Sequence, residues 1–211
     1  MVDLGNPYDR ARPSSLLTVP VLFGAAYLVS RYTGFLFIYQ YTLSILMTIL
    51  LSYFTDREMI SRRRIFGGEF SDIRNISIFL YPALLAAALT AVRHLFPRTP
   101  VLYRYFTSGG AVLRGELFVL MMVVAVPAAE LLFRGVFQRI FMDLFGKVSG
   151  SIASAAAYGI FFFLLSGNAL LASIAAAIGA LLSYIYYRER TVIATIIGHE
   201  IIVLAMFIFR F

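Results

Sequence analysis

The chain has 211 residues, 61% of them hydrophobic and 14% charged, with a mean hydropathy of +0.85 and a net charge of +7. About a quarter of the residues of a soluble domain are charged, so this composition excludes that class. In a membrane protein the basic excess reads as topology in short loops, and no nucleic-acid partner is expected. Cysteine is absent, which removes disulfides, thiol nucleophiles and cysteine-ligated metal from consideration.

Pro13 to Ser30, Tyr32 to Thr55, Asn75 to Val92 and Val148 to Tyr187 contain no Asp, Glu, Lys, Arg or His. A helix needs about 20 apolar residues to cross a bilayer core. The fold class expected is all-α, a polytopic transmembrane helical bundle. The first twelve residues lack the short apolar core and cleavage site of a signal peptide, so the first span is expected to be retained. About seven spans are expected, at 14–31, 34–54, 75–93, 115–133, 149–166, 168–187 and 192–209. The last pair but one meets in a tight turn at Ser166-Gly167-Asn168. Residues 1–114 form an N-terminal transmembrane region and 115–211 a transmembrane core.

The connection Asp56 to Arg74 carries Arg57, Arg62, Arg63, Arg64 and Arg74, and is expected on the cytoplasmic side. An odd span count then places the N-terminus, with Arg10 and Arg12, inside as well. Arg93, Arg98, Arg104 and Arg114 fall on the outer side and contradict that scheme, so an eighth element near Val101–Phe106 is the alternative. The arginine bias and the lack of a targeting sequence fit a prokaryotic cytoplasmic (inner) membrane. Small residues crowd the last third, among them Ser154, Ala155, Gly159, Ala172, Ala176 and Gly179. They let helices approach closely and predict a tight bundle there. Phenylalanine and leucine elsewhere are expected to face lipid.

Residues 126–139 place Glu130 and Arg134 inside an apolar run. Four residues is about one helical turn, so both side chains share a face and can pair. Each charge alone costs roughly 2.5–3.5 kcal/mol in a membrane helix. Such a pair either braces helices or supplies a general base oriented by an arginine. His199 and Glu200 are the other ionisable groups deep in an expected span. They point about a hundred degrees apart around a helix, so Glu200 is not expected to share the task of His199. Glu116 opens a span and His94 sits beside Arg93, both as interfacial groups. A metal needs three or four converging ligands, and Glu130, His199 and Glu200 make a poor set; no metal or cofactor is expected. Ser154, Ser166 or Ser173 paired with His199 is a conceivable nucleophile, but helix-packing serine is the better reading of all three.

The order of these motifs resembles that of the CPBP family, the CAAX-protease and bacteriocin-processing intramembrane proteins. The resemblance covers residues 115–211: Glu-Leu-Leu-Phe-Arg-Gly, then a Phe-rich span, an Ala/Gly-rich span, and Ile-Ile-Gly-His. It implies a CAAX-protease-like core. Family members show Glu-Glu-x-x-x-Arg, Phe-x-x-x-His and His-x-x-x-Asn. In active members, the resemblance implies, the first glutamate and first histidine activate a water, and the second histidine and the asparagine stabilise the oxyanion. Here the first glutamate position is Ala129; Glu130 and Arg134 match the second glutamate and the arginine. Phe162 to Ser166 places serine where the family has histidine. His199 matches the second histidine, and Val203 stands where asparagine belongs.

Hydrolysis needs a base for water and donors for the oxyanion, which Ala129 and Val203 cannot supply. The expectation is therefore a catalytically degenerate, CAAX-protease-like integral membrane protein that acts by binding. It would be a subunit or stabiliser of a membrane complex, or a binder of a hydrophobic or lipidated peptide, with membrane lipids around it. The alternatives are an active intramembrane endopeptidase using Glu130 and His199 as catalytic residues, and a small proton-coupled transporter with the same two as a relay.

Overall fold

In lipid every backbone polar group must be satisfied inside its own segment, and for long apolar runs the helix is the local solution. The computed structural model describes residues 17–32, 37–55, 79–85, 87–88 and 115–208, and these residues contain helices and tight turns with no strand. In chain order they are α1 (Thr18–Tyr32), α2 (Phe37–Thr55), α3 (79–85), α4 (Gly115–Phe145), α5 (Lys147–Ser166), α6 (Ala169–Glu189) and α7 (Val192–Ile208). Among the described residues, three helices are long and apolar enough to cross a membrane: Phe118–Phe145, Lys147–Ser166 and Ala169–Glu189. Val192–Ala205 is a shorter apolar one. The expectation of seven or eight spans reaches beyond these residues. The basic connection Asp56 to Arg74, the segment Arg93 to Arg114, His94, Arg10 and Arg12, and the side chain of Glu116 lie outside the described residues.

Helix α4 differs from the expected span 115–133. It continues to Phe145, because Arg134 is fully buried and paired and its charge does not end the helix. Two stretches of π-helix, Met121–Ala125 and Leu131–Phe137, interrupt its regular winding. The first precedes Pro127, whose ring would clash with the carbonyl four residues back and whose nitrogen has no hydrogen to donate. The wider turn relieves both problems locally. The second π stretch holds Arg134, and within it the amide of Gln138 bonds the carbonyl of Phe133. Such bulges are frequent at functional sites.

The expected turn between α5 and α6 is present. Gly167 closes α5 with φ of 65°, where a residue with a Cβ is strained, and its amide donates to Phe163 O at 2.7 Å. Asn168 then caps α6 by accepting from the Leu171 amide at 3.0 Å. The small residues bring these two helices together as expected. A Cβ on Gly159 would lie 2.8 Å from the Cβ of Ala176 and 3.0 Å from the carbonyl of Ala172. Gly150 makes an even closer approach to the backbone of α4 at Phe141 and Met142.

The main core joins α1, α2, α4, α5, α6 and α7 around Leu22, Tyr41, Leu132, Phe133, Phe161 and Leu171. The expected lipid-facing role of leucine and phenylalanine is thus corrected in part. Leu22, Leu132, Phe133 and Phe137 are fully buried, whereas Leu46, Leu50, Leu144 and Phe145 are exposed. The aromatic rings of α4 pack edge-on against α5, with Phe133 and Tyr158 centroids 4.8 Å apart. That packing gives buried phenylalanine more contact than acyl chains offer.

Candidate functional site

Glu130 and Arg134 lie on the face of α4 that looks inward, one turn apart, and both are fully buried. Glu130 Oε2 stands 3.4 Å from Arg134 Nε. The guanidinium carries its charge at any accessible pH, so the carboxylate is its counter-ion. Arg134 Nη2 donates to the carbonyl of Gly179 on α6 at 3.2 Å, and the guanidinium carbon sits 5.4 Å from the centre of the Tyr158 ring. Gly179 permits this: a Cβ there would approach Tyr158 to 3.2 Å.

His199 on α7 completes the cluster. Its Nδ1 lies 2.7 Å from Glu130 Oε1. An ionised carboxylate only accepts, so Nδ1 carries the hydrogen; in the neutral imidazole Nε2 is then the acceptor. Tyr158 meets the imidazole edge-on, with centroids 6.2 Å apart. Thr195, one turn before His199, lies against the Glu130 carboxylate and donates its hydroxyl to Val192 O at 2.8 Å. One carboxylate therefore holds α4 to α7, and its arginine holds α4 to α6.

The two residues expected to pair do so, and His199 joins them. Glu200 is partly exposed. The serines are spent elsewhere. Ser154 donates to Phe133 O at 3.1 Å, Ser173 to Ala169 O at 2.9 Å, and Ser166 to Phe162 O at 2.7 Å while accepting from the Asn168 amide. Ala129, Phe162 and Val203 share one buried apolar cluster. Phe163, the next residue along α5, is 47% exposed and faces outward. Among the described residues there is no group of three or more His, Cys, Asp or Glu side chains placed to hold a metal.

Two further features complete the site. Tyr158 touches both Arg134 and His199, and its hydroxyl lies 3.3 Å from that of Tyr41 on α2. Tyr41 also packs on Phe162 at 5.3 Å between centroids. Gln138 extends the stripe of Glu130 and Arg134 by one more turn, and donates to Ser183 O at 2.9 Å and Ser151 Oγ at 3.0 Å. Its four-residue spacing was a readable signal; the tyrosines, among thirteen in the chain, gave none.

Chemically the arrangement can do two things. It can act as a buried three-helix brace, neutral overall if His199 is neutral. Its imidazole, oriented by a carboxylate, can also accept a proton at Nε2. Residues 113–205, which span the whole cluster, match a family model described as "Type II CAAX prenyl endopeptidase Rce1-like". No curated protein and no solved structure matches the chain.

Proposed function

We propose, on the premise that residues 113–205 of this integral membrane protein belong to the Rce1-like family, that the chain has kept the family's helical core and lost its peptidase chemistry. It acts by binding, as a subunit or stabiliser of a membrane complex or as a holder of a hydrophobic or lipidated peptide. One observation carries this reading. The carboxylate of Glu130 is engaged by both Arg134 and His199, while the neighbouring motif positions Ala129 and Val203 add only apolar surface to a packed core. Ser166, at the third motif position, spends its hydroxyl on the turn that ends α5. A hydrolase needs a base in reach of water and donors aimed at the developing oxyanion. Neither role falls to Ala129 or Val203, and Glu130 is already a counter-ion.

The test is a gentle purification of tagged wild-type protein and His199→Ala from native membranes, with quantitative mass spectrometry. A stoichiometric partner recovered with both supports a binding role in which the old site is vestigial. Peptide fragments recovered with wild type alone, and no partner, would refute it.

A second reading is favoured by one distance. His199 Nδ1 at 2.7 Å from Glu130 Oε1 is the geometry of an imidazole base oriented by a carboxylate. In that reading the protein remains an endopeptidase, with His199 Nε2 taking the proton of an attacking water and Glu130 acting as a positioning residue.

A further inference from the structure

Hydroxyls inside helices commonly donate to the carbonyl one turn back. Ser44, Thr48, Ser151, Ser166 and Ser173 all do so here, at 2.7–2.9 Å. Ser183 on α6 does not. The carbonyl one turn back is that of Gly179, and Arg134 Nη2 occupies it. A carbonyl oxygen has two lone pairs; the guanidinium takes one and the amide of the next helical turn takes the other. The Ser183 hydroxyl, 1% exposed, is left without a partner in the protein.

The same seam leaves two more atoms unmatched. Gln138 spends both amide hydrogens on Ser183 O and Ser151 Oγ, which fixes the amide's orientation and turns Oε1 into an acceptor with no donor. Arg134 Nη1 is a donor with no acceptor. Both side chains are fully buried. Arg134 and Gln138 are one turn apart on α4, and Gly179 and Ser183 are one turn apart on α6, so the unmatched atoms run along a single interface. One end is Ser151, partly exposed in the first turns of α5. The other end is the Glu130–His199 pair.

Buried polar groups are almost always bonded to protein or to ordered water, and a buried water holds two to four such bonds. We infer that the seam between α4 and α6 binds a file of water molecules, leading from Ser151 past Gln138 Oε1 and Ser183 Oγ to Arg134 Nη1 beside Glu130. Water is the ligand that fits. The atoms include both donors and an acceptor, and Glu130 already balances the charge of Arg134, so neither an anion nor a cation is called for. The file hydrates the Glu130–His199 cluster whether or not the protein cleaves peptides, and so stands apart from the functional proposal above.

The chain's lack of cysteine gives a direct test. Ser183→Cys introduces a single thiol, and D2O is a probe of the right size. The protein is reconstituted in lipid nanodiscs, transferred to D2O, and the S–H stretch followed by infrared spectroscopy. The comparison is Ser154→Cys, at a fully buried position off the seam whose hydroxyl bonds Phe133 O. Ser183→Cys is expected to exchange at least about tenfold faster than Ser154→Cys, since local access sets exchange. Equal rates would overturn the inference. A second readout needs no thiol. If water bonds the Ser183 hydroxyl, Ser183→Ala loses that bond and Tm falls. If the hydroxyl is dry and unbonded, removing it relieves a desolvation cost and Tm rises; a rise would equally overturn the inference.

Discussion

Replacing Arg134 with methionine keeps the unbranched stem of the side chain and removes the charged guanidinium. Glu130, fully buried, then keeps only His199 and Thr195 beside its carboxylate. Breaking a buried ion pair from one side costs roughly 3–5 kcal/mol, most of it the exposure of the surviving charge to an apolar interior. The lost bond to Gly179 O and the lost contact with Tyr158 are part of that figure and not additions to it. Removing both charges in Glu130→Leu/Arg134→Met takes away that charge. It leaves His199 Nδ1 without its acceptor, a cost of about 1–3 kcal/mol. The double variant is therefore expected to be more stable than Arg134→Met alone. Unfolding of wild type, Glu130→Leu, Arg134→Met and the double variant in mixed micelles by increasing SDS, followed by circular dichroism, gives the three free-energy differences. Arg134→Met within about 0.5 kcal/mol of wild type, or a double variant equal to the sum of the singles, would refute the picture of a brace held by mutual compensation.

The α5–α6 contact predicts a sharp contrast between two glycines. Gly159→Val forces a side chain into Ala176 and should cost about 1–3 kcal/mol by overpacking. Gly24→Ala, where nothing lies within 4 Å, should gain up to about 1 kcal/mol of helix propensity; melting curves decide both. Tyr158→Phe leaves the Tyr41 hydroxyl buried alone and should cost about 1–3 kcal/mol, whereas Tyr41→Phe/Tyr158→Phe should lie near wild type. Val203→Asn restores one family residue but buries a carboxamide among Ala129 and Phe162. It should lower stability by about 1–3 kcal/mol and produce no cleavage of a reporter peptide.

Helix placement was legible because it rests on charge-free runs and on turn chemistry. The turn at Ser166-Gly167-Asn168 is where the residue types put it, since Gly167 supplies the left-handed backbone and Asn168 the cap. The end of α4 was not legible for a physical reason. An arginine in an apolar run reads as the edge of a span unless its partners are known, and two of the partners of Arg134, Gly179 O and the Tyr158 ring, lie far away in sequence. The pairing of Glu130 with Arg134 followed from their spacing. Spacing could not extend it to His199, because α4 and α7 meet only through tertiary packing; the two came together in the sequence only through the peptidase and relay alternatives. Tyr41 was invisible for the same reason, standing on α2 outside the segment that matches the family.

The measurement that bears most directly on the account is cleavage itself. Purified protein in liposomes is incubated with lipidated and unlipidated peptides, alongside His199→Ala and Glu130→Gln, and products are read by mass spectrometry. Melting is checked for each variant. The account predicts no product that depends on His199. Cleavage by wild type that vanishes in His199→Ala, with the fold intact, would contradict it and make the imidazole held by Glu130 the base of a working peptidase.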